Sequence, residues 1–178
     1  MAQEEAKVLI REIEERDADA LIALLENVYA ESDYLLLEPD ELNRDPGSVR
    51  QYIRNYLVTP RSTIFVAEED GKLLGFLSTK GEAYRRVRHR VTVGGLAVLA
   101  NRRKQGIGTQ LCRALFAWGR GHGIFRIELS VITKNEPGVA LCRKVGFDIE
   151  GVKLHAVILD NQLMDEYLLV KFLDDDDD

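Results

Sequence analysis

The sequence lacks the features that mark secreted, membrane-spanning and nucleic-acid-binding proteins. No apolar run approaches the length of about 18 residues that a membrane-spanning helix needs. Residues 1–10 lack the basic and apolar regions of a secretory signal. Acidic residues outnumber basic ones by 30 to 24, and the net charge of −6 excludes a general nucleic-acid binder, which would carry a basic surplus. We therefore expect a soluble, cytoplasmic protein with no membrane or nucleic-acid partner.

Cysteine is also scarce, with only two in 178 residues, which excludes a disulfide-rich scaffold. Cys112 and Cys142 both fall inside predicted helices, where we expect free thiols that pack as small core residues. A chain of this length buries about 70% of its unfolded surface as one domain. We predict a single domain over residues 1–173, followed by a disordered acidic tail at residues 174–178.

The most informative stretch is residues 93–109, where an apolar strand leads into a basic turn that opens an amphipathic helix. From Ile107 onward, apolar residues recur at helical spacing, so the turn lies at a helix N-terminus, which carries about half a positive charge. Residues 102–104 are all basic, and Gly106 and Gly108 allow the backbone to approach an anion closely. This pattern predicts a site for a phosphate-bearing ligand.

Two common phosphate-binding motifs do not fit this turn. A P-loop ends in Gly-Lys-Ser/Thr, whereas Gly108 is followed by Thr109 and Gln110, so no lysine can reach the outer phosphates. A dinucleotide-binding turn needs a third glycine for helix packing, and Leu111 occupies that position. Glu128 lies about twenty residues further on, as that fold requires, but one acidic residue at a loose spacing is weak support.

A third family fits, through two separate segments. Residues 103–108, Arg-Lys-Gln-Gly-Ile-Gly, resemble the Arg/Gln-x-x-Gly-x-Gly/Ala signature of the GNAT superfamily of N-acetyltransferases. Residues 135–147 resemble the Asn-x-x-Ala-x-x-Leu-Tyr-x-Lys-x-Gly-Phe block of the same superfamily, with Gly138 at the alanine position and Cys142 at the tyrosine position. The resemblance extends more loosely over residues 8–173.

Local patterns predict the element order β-α-α-β-β-β-α-β-α-β-β. An Asp-Gly pair within residues 69–71 predicts a hairpin between two β-rich runs. Asp17 and Asn135 are predicted N-caps of helices, and residues 160–162 are predicted to separate the last two strands. The Gly94-Gly95 pair indicates a bulge in its strand or a close approach of another backbone.

The resemblance implies an α/β fold with a single GNAT-like domain. That fold has a mixed, mostly antiparallel sheet with helices on both faces. A β-bulge splays the fourth and fifth strands apart, and the pantetheine arm of coenzyme A enters between them. The co-substrate implied is acetyl-CoA, with its pyrophosphate in the turn before the third helix. The residues that the resemblance assigns to coenzyme binding are Leu96, Ala97, Val98, Arg103, Lys104, Gln105, Gly106, Ile107, Gly108, Thr109 and Asn135.

The chemistry of acetyl transfer needs a base, because only about one alkyl amine in a thousand is neutral near physiological pH. The superfamily's glutamate base corresponds in position to Ser130, and Glu128 lies two residues earlier on the same strand face, where it acts through a water or is structurally paired. Cys142 replaces the superfamily's acid, a tyrosine. Three roles are open for its thiol: an acid, a nucleophile that carries the acetyl group, or a side chain that only fills space.

A lip over the acceptor site is expected from the first two helices of the superfamily's fold. Tyr29, Asp33, Tyr34, Glu38 and Glu41 fall in that region, where they either favour a cationic amine or form a solvated loop. The predicted activity is acetyl-CoA-dependent transfer to a primary amine, of a small molecule or a peptide N-terminus, by direct attack in a ternary complex. The alternative is a non-catalytic acyl-CoA sensor of the same fold. Dimerisation is common in the superfamily, so a homodimer is expected, and no metal site is.

Overall fold

One seven-stranded sheet organises residues 7–173, which are the residues that the computed structural model describes. The strands are β1 (Leu9–Glu12), β2 (Thr63–Glu69), β3 (Lys72–Gly81), β4 (Arg90–Val98), β5 (Arg126–Ile132), β6 (Asp148–Leu159) and β7 (Gln162–Phe172). The helices are α1 (Ala18–Glu31), α2 (Pro46–Val58), α3 (Ile107–Gly121) and α4 (Glu136–Lys144). The predicted element order is confirmed. The predicted acidic tail at residues 174–178 lies outside the described residues.

The sheet order is β1-β2-β3-β4-β5-β7-β6, and every neighbouring pair is antiparallel except β4 and β5. The mixed, mostly antiparallel sheet that was expected is therefore confirmed. The register between β3 and β4 shifts by one residue, because Ser78 pairs with Gly95 while Thr79 pairs with Val93. Gly94 is thus the extra residue of a β-bulge, as the glycine pair indicated.

Two hairpins close with turns whose sequences suit positive φ angles. Asp70 and Gly71 have φ angles of 50° and 79°, and Asp160 and Asn161 have φ angles of 50° and 59°. Two-residue turns of this kind match the right-handed twist of the strands that they join. The first hairpin lies where it was predicted, whereas β7 begins at Gln162, a residue that was expected in the turn.

Helix caps are partly as predicted. Asn135 Oδ1 accepts a hydrogen bond from Gly138 N at 3.1 Å and caps α4, which confirms that prediction. Asp17 occupies the N-cap position of α1, as predicted, but its side chain makes no cap hydrogen bond to that helix. Its carboxylate instead accepts from Glu14 N at 2.7 Å and from Arg11 Nη1 at 2.7 Å, closing the short turn before the helix. An arginine on the neighbouring strand has drawn the carboxylate away from the helix end.

Each face of the sheet carries its own core. On one face, α1 and α2 bury Leu24 and Ile53 against Val66 of β2. On the other, α3 buries Leu111 and Leu115 against β2, β3, β4, β5 and β7, and α4 adds to the same cluster. Helices therefore cover both faces, as expected. Within residues 7–173, no helix is both long and apolar enough to cross a membrane.

Candidate functional site

A gap opens between β4 and β5, the parallel pair of the sheet. The two strands share only three register positions, from Arg90 opposite Arg126 to Thr92 opposite Glu128. Beyond that point β4 continues to Val98 without a partner on this side, since the bulge at Gly94 turns it away from β5. The gap faces solvent with unpaired backbone groups from β4, and it confirms the splay that was expected between the fourth and fifth strands.

The backbone of β4 directs alternate N–H groups into this gap. Leu99 N donates to Leu74 O of β3 at 2.9 Å, so Ala97, two residues earlier, also directs its N–H toward β3. Leu96 and Val98 therefore direct their N–H groups toward the gap. In agreement, Val98 O accepts from the Arg103 side chain at 3.1 Å rather than from β3.

A concave run of N–H groups lies where β4 leads into α3. Lys104 and Gly106 both have positive φ, at 60° and 80°, on either side of Gln105. Alternating backbone conformations of this kind point successive N–H groups to one side and form a nest for an anion. Gln110 N donates to Gly106 O at 3.0 Å, so the N–H groups of residues 107–109 precede the first hydrogen bond of α3. The turn and the helix end can therefore hold a phosphate together.

The three basic residues of this turn have different partners. Arg102 is bound through two nitrogens by the carboxylate of Glu69 and also donates to Gln105 Oε1 at 3.0 Å. Its charge is therefore used within the protein. Arg103 and Lys104 are exposed and form no ion pair within the described residues. The charges of these two side chains are therefore available to bind a phosphate.

Coenzyme-site residues on the helices lie around the same end of the gap. Ile107 is buried beneath the turn, while Gly108 lies against Leu141 of α4, only 2.9 Å from the position of a Cβ to a methyl carbon of that leucine. Thr109 is half-buried in the first turn of α3. Asn135 follows β5, with its N–H bound to Ile132 O at 2.9 Å. Backbone groups, two cations and an amide thus meet at one opening, which suits the pyrophosphate and pantetheine of coenzyme A.

The opposite face of the bulge is covered by a hydroxyl pair that the sequence analysis missed. The Tyr56 hydroxyl of α2 and the Ser78 hydroxyl of β3 lie close to the same point above Gly94. A Cβ on Gly94 would lie 3.2 Å from Ser78 Oγ and 3.8 Å from Tyr56 Oη, so the missing side chain of this glycine makes room for both. Burial raises the pKa of Tyr56, and the nearby Ser78 hydroxyl partly offsets that rise. The pair therefore places a protonated phenol against the backbone of β4.

A cavity of about 190 Å³ adjoins this hydroxyl pair. Tyr52 of α2 packs beside Tyr56 with ring centroids 5.4 Å apart and is half exposed. The lining residues are Tyr52, Asn55, Tyr56, Thr59, Ser62 and Lys80. The only signal in the sequence was the spacing of Tyr52 and Tyr56, which lie four residues apart and therefore share one helix face.

Glu128 and Ser130 lie on the sheet face that also carries Tyr56. Ile127 and Leu129, which alternate with them along β5, are buried in the core beneath α3. Glu128 occupies the last register position before the gap. Its carboxylate accepts from Arg126 Nε at 2.5 Å, and Ser130 is exposed one strand repeat further along the gap.

Cys142 is packed inside the core that α3 and α4 share. Only 4% of it is exposed, and burial raises the pKa of its thiol to about 11. The side chain is therefore an uncharged thiol at neutral pH, a poor nucleophile and a weak acid. Its surroundings favour the interpretation in which Cys142 fills space beside the coenzyme site.

Known proteins resemble this chain along nearly its whole length. The Acetyltransferase (GNAT) family model matches residues 22–147. L-amino acid N-acetyltransferase AaaT of Escherichia coli is 25% identical over 172 residues, which cover 93% of this chain and 98% of that protein. A crystal structure of a GNAT-family acetyltransferase from Streptococcus pneumoniae has a TM-score of 0.87 at 27% identity, over 94% of this chain and 100% of that one. A structure of yncA from Salmonella typhimurium with acetyl-CoA has a TM-score of 0.81 at 16% identity, over 96% of each chain, and supports the fold alone.

Proposed function

The chain belongs to the acetyltransferase (GNAT) family, and we propose that it transfers the acetyl group of acetyl-CoA to a primary amine by direct attack in a ternary complex. The observation that carries this proposal is the gap between β4 and β5, whose one end meets the N-terminus of α3. A thioester in the gap would lie between the coenzyme turn on one side and the Tyr56 hydroxyl on the other.

The coenzyme side is proposed to hold acetyl-CoA mainly through the backbone. Arg103, Lys104 and the N–H groups of residues 105–109 would bind the pyrophosphate, and Asn135 would bind the pantetheine arm. Acetyl-CoA, when bound, supplies a thioester whose carbonyl carbon is open to attack. The N–H groups of Leu96 and Val98 would stabilise the oxygen that gains charge, whereas the N–H of Ala97 is engaged toward β3.

Glu128 is the stronger of the two candidates for the base, because its carboxylate lies where the gap opens. It would take the proton from the incoming ammonium group, directly or through a water that Ser130 helps to hold. The bond from Arg126 orients the carboxylate. The Cys142 thiol is assigned no proton transfer in this scheme, since coenzyme A is a fair leaving group and water can protonate it.

The proposal is tested by thiol release from acetyl-CoA with a panel of primary amines, with the acetylated product identified by mass. We expect turnover with at least one amine class. Tight binding of acetyl-CoA without thiol release for every class would contradict transfer and would favour an acyl-CoA sensor.

The role of Glu128 is tested by Glu128→Gln. We expect kcat to fall by about 100-fold, because a positioned base contributes about that much or more. Glu150→Gln is the matched control, since Glu150 is the other carboxylate bound to Arg126. Equal losses in both variants would identify an ion pair that only holds the strands.

Two further features are proposed on weaker grounds. A cytoplasmic location agrees with the acidic composition and the scarcity of cysteine. A homodimer through the last two strands is supported by exposed apolar side chains on β6, where Leu154 is 71% exposed and Ile158 is 70% exposed. Light scattering of Leu154→Lys against the unchanged protein would test that interface.

A further inference from the structure

The small cavity beside Tyr56 has a size and a position that suit part of the acceptor. Its volume of about 190 Å³ is smaller than the roughly 300–1,000 Å³ of sites for drug-sized ligands. The ring of Tyr56 lines it, and the hydroxyl of the same side chain reaches Gly94 at the bulge. If one part of the acceptor lies in this cavity, an adjacent part of the same molecule therefore lies at the bulge, where the acetyl group would be transferred.

The cavity carries one positive charge and no negative one. Lys80 is the only lining residue that is ionised at neutral pH, and it forms no ion pair within residues 7–173. Asn55 and Thr59 also line the cavity and lie at the C-terminal end of α2. The C-terminus of a helix carries a partial negative charge, which favours an ammonium group nearby. Lys80 lines this small cavity, is itself exposed and forms no ion pair within residues 7–173, so it is suited to an anionic group of the ligand.

That anion is not a phosphate of the coenzyme. Phe76, Ser78 and Lys80 alternate along β3 on the face that α1 and α2 cover, whereas α3 and its anion-binding turn pack against the opposite face. Ser78 and Lys80 are two residues apart, which is about 7 Å along a strand. The anionic group therefore belongs to the acceptor, a short distance from the amine.

Resting on the proposed function, we propose that the acceptor is a free amino acid, whose α-carboxylate pairs with Lys80 while its amine lies at Tyr56 over Gly94. The half-exposed ring of Tyr52 forms the outer wall of this site. Peptide N-termini and polyamines fit less well, because neither offers a carboxylate beside the amine. Within the acidic lip, the carboxylate of Glu41 accepts a hydrogen bond from Glu38 N at 2.8 Å in its own turn.

The test compares neutral L-amino acids with their α-amides, which keep the amine and lose the carboxylate charge. We expect the unchanged enzyme to favour each amino acid over its amide. Lys80→Gln should lower kcat/KM for the amino acids by about fivefold, the upper end of what an exposed charge pair contributes, and should leave the amides unchanged. Lys80→Arg should restore most of the preference. Lys72→Gln, on the same strand but outside the cavity, is the control.

Affinity for coenzyme A, measured by calorimetry, should be the same in all of these variants. Equal effects of Lys80→Gln on amino acids and amides, no effect on either, or a preference of the unchanged enzyme for amides or peptides would overturn the assignment of Lys80. Those outcomes leave the proposed function intact, because amines are still acetylated. An unchanged enzyme that releases no thiol with any amine would overturn both.

Discussion

The two sides of the candidate site are built from different parts of the polypeptide. The coenzyme side consists mostly of backbone groups in one continuous stretch, from Leu96 to Thr109, and its positive φ angles leave N–H groups free. The acceptor side consists of side chains from α2 and β3, among them Tyr56, Ser78 and Lys80. A side built from backbone is sensitive to backbone conformation and tolerant of side-chain exchange, and a side built from side chains has the opposite sensitivities.

The largest effect is expected from a change of backbone conformation on the coenzyme side. Gly106→Val places a β-branched residue at a φ of 80°, which costs about 1–2 kcal/mol in the left-handed region and distorts the nest. We expect the affinity for coenzyme A to fall by about 100-fold, or about 2.7 kcal/mol. Calorimetric titration with coenzyme A measures it.

Gly121→Ala is the control for this change. A Cβ at Gly121 would meet no atom within 4 Å, and this residue lies at the far end of α3. Normal binding of coenzyme A by Gly106→Val would contradict the proposed difference between the two sides.

A smaller effect is expected on the acceptor side from loss of a single hydroxyl. Tyr56→Phe keeps the ring but removes the hydroxyl that lies near Gly94 at the bulge, where the amine is proposed to lie. We expect kcat/KM for the acceptor to fall by about 10-fold with coenzyme A affinity unchanged. Steady-state kinetics over a range of acceptor concentrations measures the loss.

Tyr84→Phe serves as the comparison, since Tyr84 is 77% exposed. A loss of coenzyme A affinity in Tyr56→Phe would show that the two sides are not separable in the way described.

The smallest effect on activity is expected at Cys142, a side chain on the coenzyme side. Cys142→Ala should retain turnover within about threefold, because the buried thiol is neutral and removed from proton transfer. A loss of turnover comparable to that of Glu128→Gln would contradict this role for Cys142. Cys142 would then be the acid or the nucleophile of the reaction.

The same variant should respond differently to alkaline pH. Burial raises the pKa of the Cys142 thiol to about 11, whereas an unfolded thiol ionises near pH 8.5. The unfolded chain therefore binds fewer protons between these values, so stability is full below about pH 8.5 and falls as pH rises toward about 11. Urea unfolding on both sides of that window should show a decline that is smaller in Cys142→Ala by on the order of 2 kcal/mol. Both proteins keep the decline that Cys112 causes, since burial raises the pKa of that thiol to about 12.

The turn and the bulge of the proposed coenzyme side could be predicted from the sequence because their determinants are local. The glycines and cations of residues 103–108 are adjacent, and Gly94-Gly95 marks the bulge directly. The partner of Arg102 could not be predicted in this way, since Glu69 lies on β2, 33 positions away. For the same reason the partner of Asp17 could not be predicted: this residue is the N-cap of α1, yet its carboxylate is held by Arg11 of β1.

The proposed acceptor side could not be predicted from the sequence, because its residues are far apart along the chain. Tyr56 and Ser78 belong to α2 and β3, and nothing in either local pattern specifies that their hydroxyl groups meet. Only the fold brings them to Gly94, by packing α2 across the sheet face on which the bulge lies. The lip that the resemblance suggests, with Tyr29 in α1 and the other four residues between α1 and α2, stays a prediction.

Amide hydrogen exchange along β4 would test the central claim most directly. If coenzyme A enters the gap as proposed, its addition should slow exchange at Leu96 and Val98, whose N–H groups are directed into the gap. Exchange at Ala97, whose N–H is already directed toward β3, should change far less. Equal protection of all three amides, or protection of none, would contradict the assignment of this gap as the site of acetyl transfer.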